Sequence, residues 1–199
     1  MASPLMLIEP IRKALKDSGC LDGFWGKLDA GQDATLGVAA SARPMLVAAR
    51  FASKPQPTLV IISGEEAALV FARNLRSYVG DDAVLRFPER DDVPGVGTPA
   101  SPSVVAHRLE ALDALASDRD AIVVTSAQAL IRALPPADAH WERPIRLAVG
   151  DDLSAGAIEG VEGLDDLKRT LEEMGYQNTG ELDGPGTFAT QGGTVDIFP

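Results

Sequence analysis

Apolar positions along the chain fall into two kinds of run, and the switch between them sets the expected architecture. Short continuous runs, ATLGV, TLVIIS (Thr58–Ser63), AVLRFP and AIVVTS, have the length and β-branched character of buried strands. Between them lie helical patterns. SARPMLVAARFAS follows the first run. EEAALVFARNLRSYVG follows the second, with Leu69, Ala72, Leu75 and Val79 on one face and Gly80 as its stop. After the Pro/Gly-rich segment Asp91–Pro102, Ser101 and Pro102 start a helix whose stripe is Val105, Leu109, Leu112 and Leu115. AIVVTS is expected to feed a further helix, capped by Ser126 and stopped by Pro135 and Pro136. Strands alternating with helices indicate a doubly wound α/β fold with a parallel sheet covered on both faces.

The period changes near residue 144. RLAVGDDL reads as a short strand, SAGAIEGVEG as a loop of small residues, and LDDLKRTLEEMG as a helix ended by Gly175. TFATQ and TVDIF flank Gly192 and Gly193, the signal of a two-residue hairpin. Two domains are therefore predicted: an α/β domain over 1–143, and a smaller α+β domain with antiparallel pairing over 144–199. VDIF lacks an onward strand, so the second domain reads as truncated and the chain as a fragment of a longer protein.

Composition narrows the function classes. The net charge is −11, of which −8 falls from Ile145 onward and −3 on the first 144 residues. Phosphodiester binding needs clustered cations, so stand-alone nucleic-acid binding is disfavoured, and a basic protein partner suits the acidic half. The alternative is that the charge serves solubility alone. Only 5% of residues are aromatic, too few for a base-stacking surface. A single cysteine, Cys20, excludes an internal disulfide and fits a reducing cytoplasm. No apolar run approaches the roughly 20 residues that span a bilayer, and the N-terminus lacks a secretory pattern.

One stretch, GVAASARPM, stands where a phosphate loop would. The motif G-x-x-x-x-G-K-[ST] uses glycines to curl N–H groups round phosphate, Lys to reach its oxygens and a hydroxyl to bind magnesium. Gly37 keeps the first glycine, but Ala42, Arg43 and Pro44 replace the second glycine, the lysine and the hydroxyl residue. Pro44 also removes an N–H. The loop is degenerate and is not expected to bind a nucleotide. The competing reading is a nucleotide-binding α/β enzyme whose atypical loop tolerates Arg43. No paired Asp-Glu follows a later strand. His107 and His140 lack metal-ligand spacing, and no G-x-S-x-G elbow occurs. No catalytic or metal residues are assigned.

Three stretches carry a resemblance: VLRFPERDDVPGVGTPASPSVVAHRLEAL, AIVVTSAQALIRALPP and MGYQNTGELDGPGTFATQGGTVDIFP. From about residue 30 to Pro199 the chain resembles the N-terminal region of the bacterial transcription-repair coupling factors (Mfd), itself similar to the repair protein UvrB. The resemblance implies a UvrB domain 1a-like fold that has lost its phosphate loop, followed by a domain 2-like module that docks on UvrA. UvrB's aromatic hairpin has no counterpart in Asp91–Pro102. Phe188, Gln191 and Gly192 are the residues expected on or beside the docking surface. The family commonly has Arg where Gln191 stands, which replaces a bidentate ion pair by weaker hydrogen bonding. Its other docking residues, an Arg and a Phe, would lie beyond Pro199, and its long-loop Trp and Tyr are Arg90 and Gly95 here. The implied role is non-catalytic: bringing UvrA to a stalled RNA polymerase in transcription-coupled excision repair. The family's polymerase-binding and ATP- and Mg-dependent DNA-translocating parts lie C-terminal, so no cofactor, double-stranded DNA or membrane contact is expected of this piece.

Overall fold

The computed structural model describes residues 5–92, 99–134, 145 and 147–199, the side chains from residue 8 onward. The chain divides into two compact units: Met1–Arg90 with His107–Arg132, and Asp91–Ala106 with Ala133–Pro199. The boundary expected at residues 143 and 144 lies outside the described residues, as do Pro135, Pro136, His140, Trp141 and Gly95.

In the first unit, β1 (Thr58–Ile62), β2 (Val84–Phe87) and β3 (Ile122–Ser126) form a parallel sheet in the order β1-β3-β2. Thr58 pairs with Ile122, and Val84 pairs with the same residue from the other side. The central strand β3 is buried along its whole length. Its alternate residues serve two cores. Ile122 and Val124, with Val84, pack against helices α1 (Leu5–Ser18), α3 (Arg43–Ser53) and α4 (Glu65–Val79), through Ile8, Ala48, Ala49, Ala68, Ala72 and Leu75. Val123, with Leu85 and Phe87, packs against Ala111 and Ala114 of α5 (Pro102–Ala116), a helix whose residues are divided between the two units. The α/β class and the parallel sheet follow the sequence expectation.

Four expectations are corrected. ATLGV forms no strand. Residues 32–39 have no regular structure, and Ala34, Leu36 and Val38 are only half-buried, because no described strand pairs with them. The sheet is not covered on both faces throughout: edge strand β1 leaves Leu59 50% and Ile61 54% exposed. On α5 the leucine stripe is not the buried face. Val105, Leu109 and Leu115 are exposed, while Arg108, Ala111 and Ala114 are buried. Facing Leu85, Phe87 and Val123, the helix packs Ala111 and Ala114 closely, with half-buried Leu112 beside them and the Arg108 guanidinium against the Phe87 ring. Beyond β3, Ser126 does cap, its Oγ accepting from the Ala129 N–H at 3.1 Å, but the segment closes into a single 3-10 turn at Gln128–Leu130.

Two further helices, α1 and α2 (Asp22–Asp29), lie in a region with little sequence signal. Pro10 stands inside α1 and costs it a hydrogen bond. The helix buries Ile8, 1% exposed, in the first core.

The second unit contains α6 (Leu164–Glu173) and a three-stranded sheet, β4 (Gln177–Asn178), β5 (Thr187–Gln191) and β6 (Thr194–Phe198). The hairpin β5–β6 is antiparallel as expected, and β4 adds a short parallel pairing. The described residues of RLAVGDDL, from Leu147 onward, form no strand. Its described part ends in a turn, where Asp151 accepts from the Ala148 N–H at 2.7 Å.

Candidate functional site

The expected docking residues sit on a hairpin held from beneath by α6. Gly163 precedes the helix, and Asp165 and Asp166 occupy its first turn, where carboxylates favour the positive end of the dipole. Its C-terminus closes as a Schellman motif. Tyr176 N–H donates to Leu171 carbonyl at 2.9 Å, and Gly175 N–H donates to Glu172 carbonyl at 2.9 Å. Gly175 takes φ +92, as that position requires. Tyr176 then packs with Leu171 in the core of Val161, Leu167, Leu171 and Phe188.

Phe188 is wholly buried at 0% exposure, so it supports the hairpin from inside and offers no surface to a partner. Gln191 and Gly192 are both exposed. Gln191 faces Thr194 across the two-residue turn, and Gly192 has φ +61 at the first central position, as such turns demand. The pairing also places Asp196 opposite Ala189 and Phe198 opposite Thr187, on the face that carries Gln191. Thr194, Asp196 and Phe198 are exposed, whereas the alternating Val195 and Ile197 pack on the core. The sequence reading missed Thr194, Asp196 and Phe198. Period-two alternation in TVDIF is the signal that finds them.

The surroundings are short of cations. Lys168 pairs with Asp165 at 3.0 Å and Arg169 with Asp166 at 2.7 Å, so both are engaged within α6. Asp152 accepts from the Ser154 hydroxyl at 2.7 Å and its N–H at 2.9 Å, and these bonds hold its carboxyl below the usual range.

The Gly37–Pro44 segment belongs to the first unit. Its backbone runs irregularly to a 3-10 turn at Ala40–Ala42, and α3 begins at Arg43. Gly37 is exposed, has no left-handed φ, and an added Cβ there would meet nothing within 4 Å. Arg43 is exposed and Pro44 is buried in the first turn of α3. The strand-to-loop entry on which the phosphate-loop comparison rested is absent from this segment. Among the described residues, no group of three or more His, Cys, Asp or Glu is placed to hold a metal. Among them also, no helix is long and apolar enough to cross a membrane.

Comparison with known proteins finds likenesses in the hairpin unit and along most of the chain. Residues 159–199 match the UvrB interaction domain. The chain is 28% identical over 163 residues to the transcription-repair-coupling factor of Bacillus subtilis (strain 168), covering 82% of this chain and 13% of that protein. Against the Staphylococcus aureus (strain USA300) protein of the same name, identity is 25% over 171 residues, 85% of this chain and 14% of that protein. The Staphylococcus haemolyticus (strain JCSC1435) counterpart is 23% identical over 163 residues. The chain thus spans about one-seventh of the length of these relatives. The chain is thus similar over most of its length to transcription-repair-coupling factors, and over residues 159–199 to the UvrB interaction domain.

Proposed function

We propose that this chain is a non-catalytic recruiting module that docks the excision-repair protein UvrA through the β5–β6 hairpin. The observation that carries the reading is a coincidence of position. The matched residues 159–199 end in a hairpin whose tip exposes Gln191 and Gly192, with Thr194 beside them. In this reading residues 144–199 dock the partner and residues 1–143 serve as scaffold. Gln191, Thr194 and Asp196 make the polar contacts, Phe198 adds an apolar one, and Phe188 keeps the hairpin rigid. Polymerase binding and ATP-driven translocation on DNA belong to other parts of the longer relatives, and the Gly37–Pro44 loop holds no ATP. The protein works in the cytoplasm, where a stalled polymerase is found. Isothermal titration of purified UvrA with this chain tests the proposal. Saturable association supports it, and absence of heat at protein concentrations of about 100 μM, where a specific interface would register, counts against it.

A further inference from the structure

Within the first unit, helices α1, α2 and α3 line a partly open cavity of about 630 Å³. That volume lies inside the range of about 300–1,000 Å³ typical of small-molecule sites. Its floor is apolar, formed in part by Leu15 and Ala49, and the half-buried indole of Trp25 lines it. The Arg50 guanidinium lies 5.6 Å from the indole centroid, in cation–π range.

The charge around this cavity runs against that of the chain. Arg12, Lys13, Lys16 and Arg50 line it, four of the chain's 18 Lys and Arg. Only three of its 29 Asp and Glu do so: Glu9, Asp17 and Asp22. The local balance is therefore +1, where the whole chain carries −11. Two of the cations are already committed. Arg12 donates to the Ala52 carbonyl at 2.7 Å, and Arg50 is bound to Asp29 at 2.6 Å. Lys13 and Lys16 are exposed, one turn apart on α1, so both ammonium groups can turn to one ligand.

We infer that this cavity binds a nucleoside phosphate, at a place distinct from the Gly37–Pro44 loop. Lys13 and Lys16 take the phosphate oxygens as point charges. The indole of Trp25 and the apolar floor take the planar base. Asp22 accepts from the ribose hydroxyls. Such mixed lining discriminates a nucleoside phosphate from inorganic phosphate, which offers nothing to Trp25 or Leu15. The ligand is bound, not turned over.

The test is a titration of the full chain with ADP, ribose 5-phosphate and inorganic phosphate. It is followed by calorimetry and by Trp25 emission in a Trp141→Phe background. ADP is expected to bind saturably and to shift the Trp25 emission, with ribose 5-phosphate and inorganic phosphate at least tenfold weaker. Lys13→Ala combined with Lys16→Ala is expected to weaken ADP by about tenfold or more at unchanged melting temperature, since charge-assisted contacts to phosphate are lost. Arg43→Ala is expected to leave ADP binding intact. The proposal is overturned if no saturable ADP binding is found, if the double lysine variant binds as the wild type does, or if inorganic phosphate binds as tightly as ADP.

Discussion

Phe188 and Ile197 face each other across the antiparallel strands β5 and β6, and both turn into the core formed with α6. Their neighbours Ala189 and Asp196 point the opposite way. One face of the hairpin thus anchors it; on the other, Thr194, Asp196 and Phe198 of β6 are exposed while Thr187 and Ala189 of β5 are buried. Replacing Phe188 by Ala removes a wholly buried ring and is expected to cost about 3–5 kcal/mol, because the surrounding core collapses only in part. Urea denaturation followed by circular dichroism measures the loss. Partner binding should fall with the fold of the unit.

Gln191 makes the complementary case. It is exposed and opposite Thr194, so Gln191→Arg should change stability by less than about 0.5 kcal/mol. In the proposed docking the arginine should tighten UvrA binding by up to about tenfold through one charge-assisted pair. Calorimetric affinities of the two proteins at one salt concentration decide this.

Arg108 is buried, 7% exposed, in the first unit. Its guanidinium lies 3.8 Å from the Phe87 ring centroid and donates to the Pro88 carbonyl at 2.6 Å. Arg108→Ala should destabilise the unit by about 1.5–3 kcal/mol, the range for hydrogen bonds to charged groups. Arg108→Lys should not restore it fully, since an ammonium lacks the planar face that stacks on Phe87. Melting temperatures of the three proteins give the order.

Asp29 is gripped by Arg50 at 2.6 Å and Lys54 at 2.8 Å. The hydrogen bond from Arg50 and then that from Lys54 hold its carboxyl at about 2, below its ordinary 3.8. A folded-state value below the unfolded one means the contribution is present above pH 3.8 and is lost as pH falls towards 2. Asp29→Asn should therefore lower stability at pH 7, and the difference from the wild type should shrink as pH falls towards 2, where about half of the folded-state carboxyl is protonated. Denaturation midpoints across that pH range check the sign.

The parts of this architecture legible in sequence are those where local pattern and tertiary demand agree. Thr58–Ile62 and Ile122–Ser126 are β-branched apolar runs and become strands. LDDLKRTLEEMG has a helical stripe and a glycine stop and becomes α6. Gly192 and Gly193 fix the hairpin. The failures come from packing that no local window contains. ATLGV has strand chemistry but no strand beside it. On α5, apolar spacing favours the leucines, while the face that packs on Phe87 and Leu85 carries Ala111, Ala114 and Arg108. In the hairpin, the resemblance pointed to Phe188, Gln191 and Gly192, and alternation along β6 adds the exposed Thr194, Asp196 and Phe198.

The most direct measurement is the affinity of UvrA for this chain and for Gln191→Trp, a bulky change at the exposed hairpin tip that leaves the core untouched. Saturable binding to the wild type, weakened at least tenfold in Gln191→Trp at equal melting temperature, is the expected result. Absence of binding to the wild type, or equal affinity of the two proteins, would contradict docking through this hairpin.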